Sequence, residues 1–373
     1  MTKQLNRRSR SKTRSLYQRR LASRQLVLEI TEQEKINCQR LTELFDKICY
    51  NSGMLKLQTT LEKIKKLQIQ GANAIAMASL SLLEHENMET FENMGVKSLS
   101  IRYIKKMKQT VKLLLQTRPT EPLNQNLLSF INYQLKLGKQ LPLPELKTKI
   151  GEAIVYLKNL AENNQNRVIS YGQSLIKNQN NIFTHCHSSS VEKILVKAKK
   201  SGKKFQVFNT ETRPLFQGRK TAKNLLQEKI KVTMVADSAA GFLISDASGK
   251  DLMMDLVILG ADAVLPNGSV INKIGSYGIA SSAYLNKIPL YIACNLLKYD
   301  VDGIITIEIR AEEEIWPRKP KGLKIINFAF DKIPAKYIKG IITEFGIIKP
   351  VQVKATVKKH YPWLTTNYFE LRN

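Results

Sequence analysis

The sequence predicts an α/β protein: a mainly parallel, doubly wound sheet preceded by a helical N-terminal domain. Three observations carry this expectation. Four of the 18 glycines lie before residue 151 and the other fourteen from Gly151 onward; a Gly-poor first part favours helices, a Gly-rich second part short strand–helix turns. Short, near-continuous apolar runs recur from about residue 170, the pattern of strands buried on both faces. Helical or loop segments separate these runs, which implies βαβ units. At 373 residues and 43% hydrophobic, the chain can bury a full core, and its length suggests about two domains.

Residues 1–24 read as a basic disordered arm. They hold nine Lys or Arg and no acid, and removing them still leaves +19 of the formal +28 on the remainder. Such a field draws in phosphorylated ligands or nucleic acid, so the arm is a candidate nucleic-acid contact. The amino terminus lacks the apolar core of a secretory signal; its Arg- and Ser-rich, acid-poor make-up also fits an organellar transit peptide. Cys38, Cys49, Cys186 and Cys294 are too few and too irregular for a disulfide framework, which points to a reducing, cytoplasmic setting. No stretch approaches the ~18 apolar residues of a membrane helix, so no membrane partner is expected.

Residues 25–165 read as the helical domain. Leu57, Leu61, Ile64 and Leu67 recur at helical spacing, as do Ile101, Ile104, Met107, Val111 and Leu114. Gly71 interrupts the first series and Pro119 ends the second. Residues 166–352 read as a Rossmann-like α/β domain that binds the ligand, and 353–373 as a C-terminal tail. Its strands are expected at Ile182-Phe183, Phe205–Phe208, Val232–Ala236, Leu256–Leu259, Pro289–Ala293 and Leu323–Ile326.

The endings of these runs are the informative part. They close on Thr184-His-Cys-His-Ser188, Thr210-Glu211, Asp237-Ser238, Gly260-Ala-Asp262 and Cys294-Asn295. Five polar endings fall at the carboxyl edge, where open α/β sheets bind ligands, and the crevice is expected to centre on Cys186 and Asp262. After Cys186 come Ser188, Ser189 and Ser190, entering a helix whose buried stripe is Val191, Ile194, Leu195 and Ala198. A helix start beside three hydroxyls suits a phosphate, and its dipole would lower the Cys186 pKa. Ser189 and Glu192 have the spacing of a capping box; a plain cap with an inert thiol is the competing reading. A metal reading of His185-Cys186-His187 is weaker, since strand alternation splits the three residues and no second pair completes a tetrahedron. Asn272, Lys273 and Lys298 offer an amide and two cations for a phosphorylated sugar. Arg213, held in a rigid Thr-Arg-Pro turn, is expected either to pair with Glu211 or Asp237 or to contact the ligand. Pro119 would pin a helix end and aim Arg118.

Eight ordered motifs resemble one family: Gln70-Gly-Ala72, Thr117-Arg-Pro-Thr120, Thr184-His-Cys-His-Ser188, Glu211-Thr-Arg-Pro214 with Gln217-Gly218, Asp237-Ser-Ala239, Gly260-Ala-Asp262, Asn272-Lys-Ile-Gly275 and Ile341-Ile-Thr-Glu344. That family contains the α, β and δ regulatory subunits of translation initiation factor 2B, methylthioribose-1-phosphate isomerase and archaeal-type ribose-1,5-bisphosphate isomerase. The resemblance runs from about residue 56 to 352, and the wording around Cys186 is most similar to the last of these. It implies an aldose–ketose isomerase acting on a phosphorylated pentose, with Cys186 as base and Asp262 as acid. Gln70, Gly71, Ala72, Arg118, Ser188, Ser189, Ser190, Asn272, Lys273 and Lys298 would hold the sugar and its phosphates. Moving a hydrogen from C2 to C1 needs proton carriers on two sides of the sugar, and no metal or redox cofactor is required. The resemblance also implies a homodimer or a hexamer of dimers, and raises a nucleotide such as AMP as an activator. The alternative is a noncatalytic regulatory subunit of the initiation-factor-2B type that binds a phosphorylated metabolite and protein partners. One departure bears on the choice: the isomerases carry arginine where this chain has Gln70, and glutamine lacks arginine's charged, two-pronged grip on phosphate. Ser276 also stands where threonine is usual.

Overall fold

A computed structural model describes residues 56–66, 68–88, 96–118, 120–303 and 307–365. The chain clusters into two units, Met1–Gln58 and Thr59–Asn373, and nearly all described residues lie in the second. The basic arm lies outside the described residues. No described helix is long and apolar enough to cross a membrane.

The second unit begins with a helical layer: α1 (Ala72–Met88), α2 (Val96–Thr117), α3 (Pro122–Leu137) and α4 (Leu143–Ser174). Proline sits at the start of both α3 and α4, where its fixed φ is already helical and its missing N–H costs nothing. The α2 stripe is buried from Ile104 through Met107 and Val111 to Leu114, but Ile101 is exposed. Ser100 and Tyr103 take its place against the core, because a 3.6-residue period centred on Met107 carries the face back to them. The 32-residue α4 buries Leu146, Ile150, Ile154, Leu157, Ala161 and Val168 on one face and runs on past residue 165, beneath the sheet.

Seven strands form the main sheet, in the order β12-β11-β7-β4-β1-β2-β3. They are β1 (Asn181–Thr184), β2 (Gln206–Thr210), β3 (Lys231–Val235), β4 (Leu256–Leu259), β7 (Leu290–Ala293), β11 (Gly340–Thr343) and β12 (Gly346–Ile348). All pairings are parallel except β11 with β12. The expected strand at Leu323–Ile326 is not one. Those residues are irregular, with Leu323 and Ile326 exposed, and the place beside β7 is taken by the fully buried Gly340–Thr343. A short apolar run becomes a strand only where the sheet offers it an edge to pair with.

The core lies between the sheet and helices α4 and α5 (Ser189–Lys200), and includes Val168, Ile182, Ile194, Val207, Ile258 and Ile342. Gly172 permits this packing, since a Cβ there would fall 2.3 Å from the Ile194 side chain. Strands β5 (Ala263–Val264), β6 (Val270–Lys273) and β10 (Phe330–Ile333) form a small antiparallel sheet, while β8 (Ile309–Arg310) pairs with β9 (Asn327–Phe328). Helices α6 (Gln217–Gln227), α7 (Ser276–Leu285) and α8 (Val353–His360) belong to the same unit, with a single short turn of helix at Ala240–Ile244. Helix α8 falls within the segment read as a tail.

Candidate active site

The chain builds β1, β2 and β3 outward, then returns to place β4 on the other side of β1. That reversal opens a crevice at the carboxyl ends of β1 and β4, the switch point where doubly wound sheets take ligands. Cys186 stands two residues beyond β1 and Asp262 three beyond β4. The two residues therefore face one crevice because of strand order, not sequence distance.

Cys186 is held in a left-handed conformation, φ 65°, which costs a non-glycine residue of order 1–3 kcal/mol and persists only where its surroundings enforce it. Here its backbone N–H donates to Thr212 Oγ1 (3.0 Å) and its carbonyl accepts from Thr221 Oγ1 (2.9 Å). The thiol donates to Gln217 Oε1 at 3.5 Å, and Gln217 Nε2 donates to Gln70 Oε1 at 3.0 Å. His185 is buried, its Nε2 donating to the Ile274 carbonyl (2.8 Å) and its Nδ1 accepting from Thr210 Oγ1. Both ring nitrogens are thus engaged in holding the strand end. His187 Nδ1 is 3.1 Å from Thr221 Oγ1.

All twelve expected site residues line one cavity of about 230 Å³: Gln70, Gly71, Ala72, Arg118, Cys186, Ser188, Ser189, Ser190, Asp262, Asn272, Lys273 and Lys298. Gly71, at φ 85°, turns the chain into α1, a conformation glycine adopts freely. The first turns of α1 and α5 both line the cavity, so two helix N-termini, each a partial positive charge with free N–H groups, converge on it. Lys298 Nζ donates to the Ala261 carbonyl (2.6 Å), Lys273 Nζ lies 4.9 Å from the Phe330 ring, and Asn272 Nδ2 donates to Ser276 Oγ (2.9 Å). Arg118 contacts Glu121 (3.3 Å) and Glu308 (3.5 Å).

Burial governs the titration of the site. It raises the Asp262 carboxyl above the ordinary range, against the opposing pull of Lys298, Lys273 and Arg118. It also pushes the Cys186 thiol up to about 11, with Lys273 opposing. The expectation of a lowered thiol pKa is therefore overturned. Cys186 precedes the helix cap rather than sitting on the first turn, and desolvation outweighs the dipole and the lysine. The cap itself is Ser188, whose Oγ accepts from Val191 N–H, so Ser189 and Glu192 form no capping box; Glu192 instead accepts from Asn224. Arg213 pairs with neither expected carboxylate. Asp237 takes the backbone N–H groups of Thr212 and Arg213, Glu211 takes Arg219, and the Arg213 guanidinium reaches the Ile315 carbonyl at 3.3 Å.

The other lining residues include Glu121, Gln217, Lys220 and Arg310, which were not singled out as site residues from the sequence. Gln217 lay inside a noted motif. Glu121 follows the Thr-Arg-Pro-Thr motif directly. Arg310 carries no local signal, being delivered by β8, and it is clamped on Glu314 at 2.6 Å.

A model of the initiation factor 2 subunit family matches residues 68–350. The chain belongs to that family. Within it, the chain is 35% identical over 327 residues to the ribose 1,5-bisphosphate isomerase of Methanocaldococcus jannaschii, covering 84% of this chain and 98% of that one. The crystal structure of 5-methylthioribose 1-phosphate isomerase from Pyrococcus horikoshii OT3 superposes with a TM-score of 0.67 at 27% identity, covering 84% of this chain and 88% of that one. The translation initiation factor eIF-2B of the same organism gives 0.65 at 26%, covering 79% and 97%. Family members with isomerase names and with translation-factor names thus share this fold.

Proposed function

We propose that this chain is a sugar-phosphate aldose–ketose isomerase that converts ribose 1,5-bisphosphate to ribulose 1,5-bisphosphate. The observation that supports it is one cavity combining a thiol and a raised carboxyl at the switch point with two helix N-termini, Lys273, Lys298 and Arg118. The cations and helix starts neutralise and position two phosphates. Asp262, keeping its proton, serves as the acid for the ring oxygen as the C1–O bond breaks. Cys186 takes the proton from C2 and returns it to C1, while the Asp262 carboxylate takes the 2-hydroxyl proton, leaving the carbonyl at C2 and restoring the acid. Its resting thiol is protonated on Gln217, so losing that proton precedes its work as a base. The enzyme is proposed to work in the cytoplasm as a homodimer or larger ring, with a nucleotide activator and a nucleic-acid contact by residues 1–24 as further proposals.

The second reading, a noncatalytic regulator, is favoured by Gln70, which brings no charge and is bonded to Gln217, and by the extended basic amino terminus. Incubating pure protein with ribose 1,5-bisphosphate and following ketose formation separates the two. Turnover is expected, and Cys186→Ser and Asp262→Asn are each expected to lower kcat by at least ~10²-fold. Tight binding of pentose phosphates without turnover would leave the regulator standing.

A further inference from the structure

Five cations line the cavity: Arg118, Lys220, Lys273, Lys298 and Arg310. Four of them belong to one network with carboxyl groups. Arg118 contacts Glu121 (3.3 Å) and Glu308 (3.5 Å), and Arg310 contacts Glu314 (2.6 Å) and Glu308 (3.7 Å). Lys298 Nζ donates to the Ala261 carbonyl beside Asp262 (2.6 Å), and with Lys273 it pulls on the Asp262 carboxyl against its burial. Lys220 takes part in none of this. It is exposed, and among the described residues it forms no ion pair or hydrogen bond.

Its neighbours on α6 fix where it stands. Gln217, one turn earlier, accepts from the Cys186 thiol at 3.5 Å and donates to Gln70 at 3.0 Å. Thr221, the next residue, donates to the Cys186 carbonyl at 2.9 Å and lies 3.1 Å from His187 Nδ1. Residues three apart share a helix face, so Lys220 and Gln217 form one stretch of wall, close to His187 and the serines after it. Arg219 turns elsewhere, to Glu211 (3.0 Å) and the Phe216 ring (3.7 Å). A pentose with phosphates on C1 and C5 carries its charges at opposite ends. The network around Asp262 meets one end, and Gln70 brings no charge to the other.

We propose that Lys220 is a specificity-determining residue of the isomerisation, which seats the substrate phosphate lying on the Cys186 side of the cavity. The inference rests on the isomerase reading and names the group that makes the cavity select a second phosphate. A compact ammonium on a flexible stem holds phosphate as a point charge, without a fixed fork. It meets that phosphate alike in bound substrate and transition state, so it acts on KM and leaves kcat unmoved.

The test is steady-state kinetics of the full chain with ribose 1,5-bisphosphate for the parent, Lys220→Met, Lys220→Arg and Lys223→Met. Lys223 lies one turn further along α6, exposed and outside the cavity wall, and reports the loss of one helix charge through solvent. KM is expected to rise on the order of 10- to 100-fold in Lys220→Met, with kcat within about twofold. Lys220→Arg, which keeps the charge, and Lys223→Met should stay within about threefold of the parent. An unchanged KM in Lys220→Met, an equal rise in Lys223→Met, or a loss confined to kcat would overturn the proposal. A parent without turnover would sink the isomerase reading instead. The same four proteins are then compared by calorimetric Kd for ribose 1,5-bisphosphate, where an unchanged Kd in Lys220→Met removes the phosphate seat.

Discussion

Replacing Gly260 by alanine tests the packing that joins β4 to the helix start beside Cys186. A Cβ at Gly260 would stand 2.6 Å from Ser188 Oγ and 2.7 Å from Ser188 Cβ, closer than carbon and oxygen atoms pack without strain. Turning the hydroxyl away relieves only the first contact and removes the cap on Val191 N–H, a loss of about 1 kcal/mol. The second contact forces the two backbones apart, an overpacking cost of about 1–3 kcal/mol. Together the substitution should cost about 2–4 kcal/mol, or roughly 4–8 °C in Tm for a chain of this size. Urea unfolding of Gly260→Ala measures the first quantity, and KM for the sugar phosphate should rise as well, because Ser188 lines the cavity. A double-mutant cycle isolates the contact. Ser188→Gly alone should cost only a few tenths of a kcal/mol, and the Ser188 Cα is a comfortable 3.9 Å from the new methyl. In that background Gly260→Ala should cost less than about 0.5 kcal/mol. If Gly260→Ala matches the parent in stability, or costs the same with and without the Ser188 side chain, the steric account is wrong.

Two further outcomes concern buried titratable groups. Glu344 accepts from Tyr361 Oη (2.6 Å), Asn164 Nδ2 (3.3 Å) and Leu296 N–H (3.0 Å), and burial lifts it to about 7 despite those donors. A folded-state value above the unfolded one means stability that is complete below pH ~4.5 and is lost as pH rises through ~7, by about 3 kcal/mol at most. Urea titrations across that window should show this slope in the parent and a flatter one in Glu344→Gln. For the thiols, burial raises Cys186 to about 11 and Cys294 to about 12, so iodoacetamide near neutral pH should leave both unmodified by peptide mass mapping. Rapid alkylation of Cys186 there would show that Lys273 and the helix dipole outweigh desolvation after all.

The amino-acid sequence by itself determined the α/β class and the polar strand endings, which are written locally: an apolar run followed by a polar turn at each strand end, and a Ser-rich helix start after Cys186. The full set of twelve expected residues that line the cavity came from the resemblance of its motifs to one family. Long-range facts were not written there. Leu323–Ile326 and Ile341–Thr343 are both short and apolar, and only the free edge of β7 decided that the second pairs and the first does not. Ile101 fits the helical stripe of α2 by spacing, yet the position of the neighbouring helices left it in solvent. The Cys186 thiol shows the same division. Its neighbour in sequence, the helix start, argues for a low pKa, while burial raises it at a site where its partners Thr212, Gln217 and Thr221 are distant in sequence. Glu121 and Arg310 joined the site because α3 and β8 meet there in space. The sequence encodes local conformation and chemical inventory directly; which groups lose water and which charges become neighbours depends on strand order and packing, and tertiary structure alone settles those.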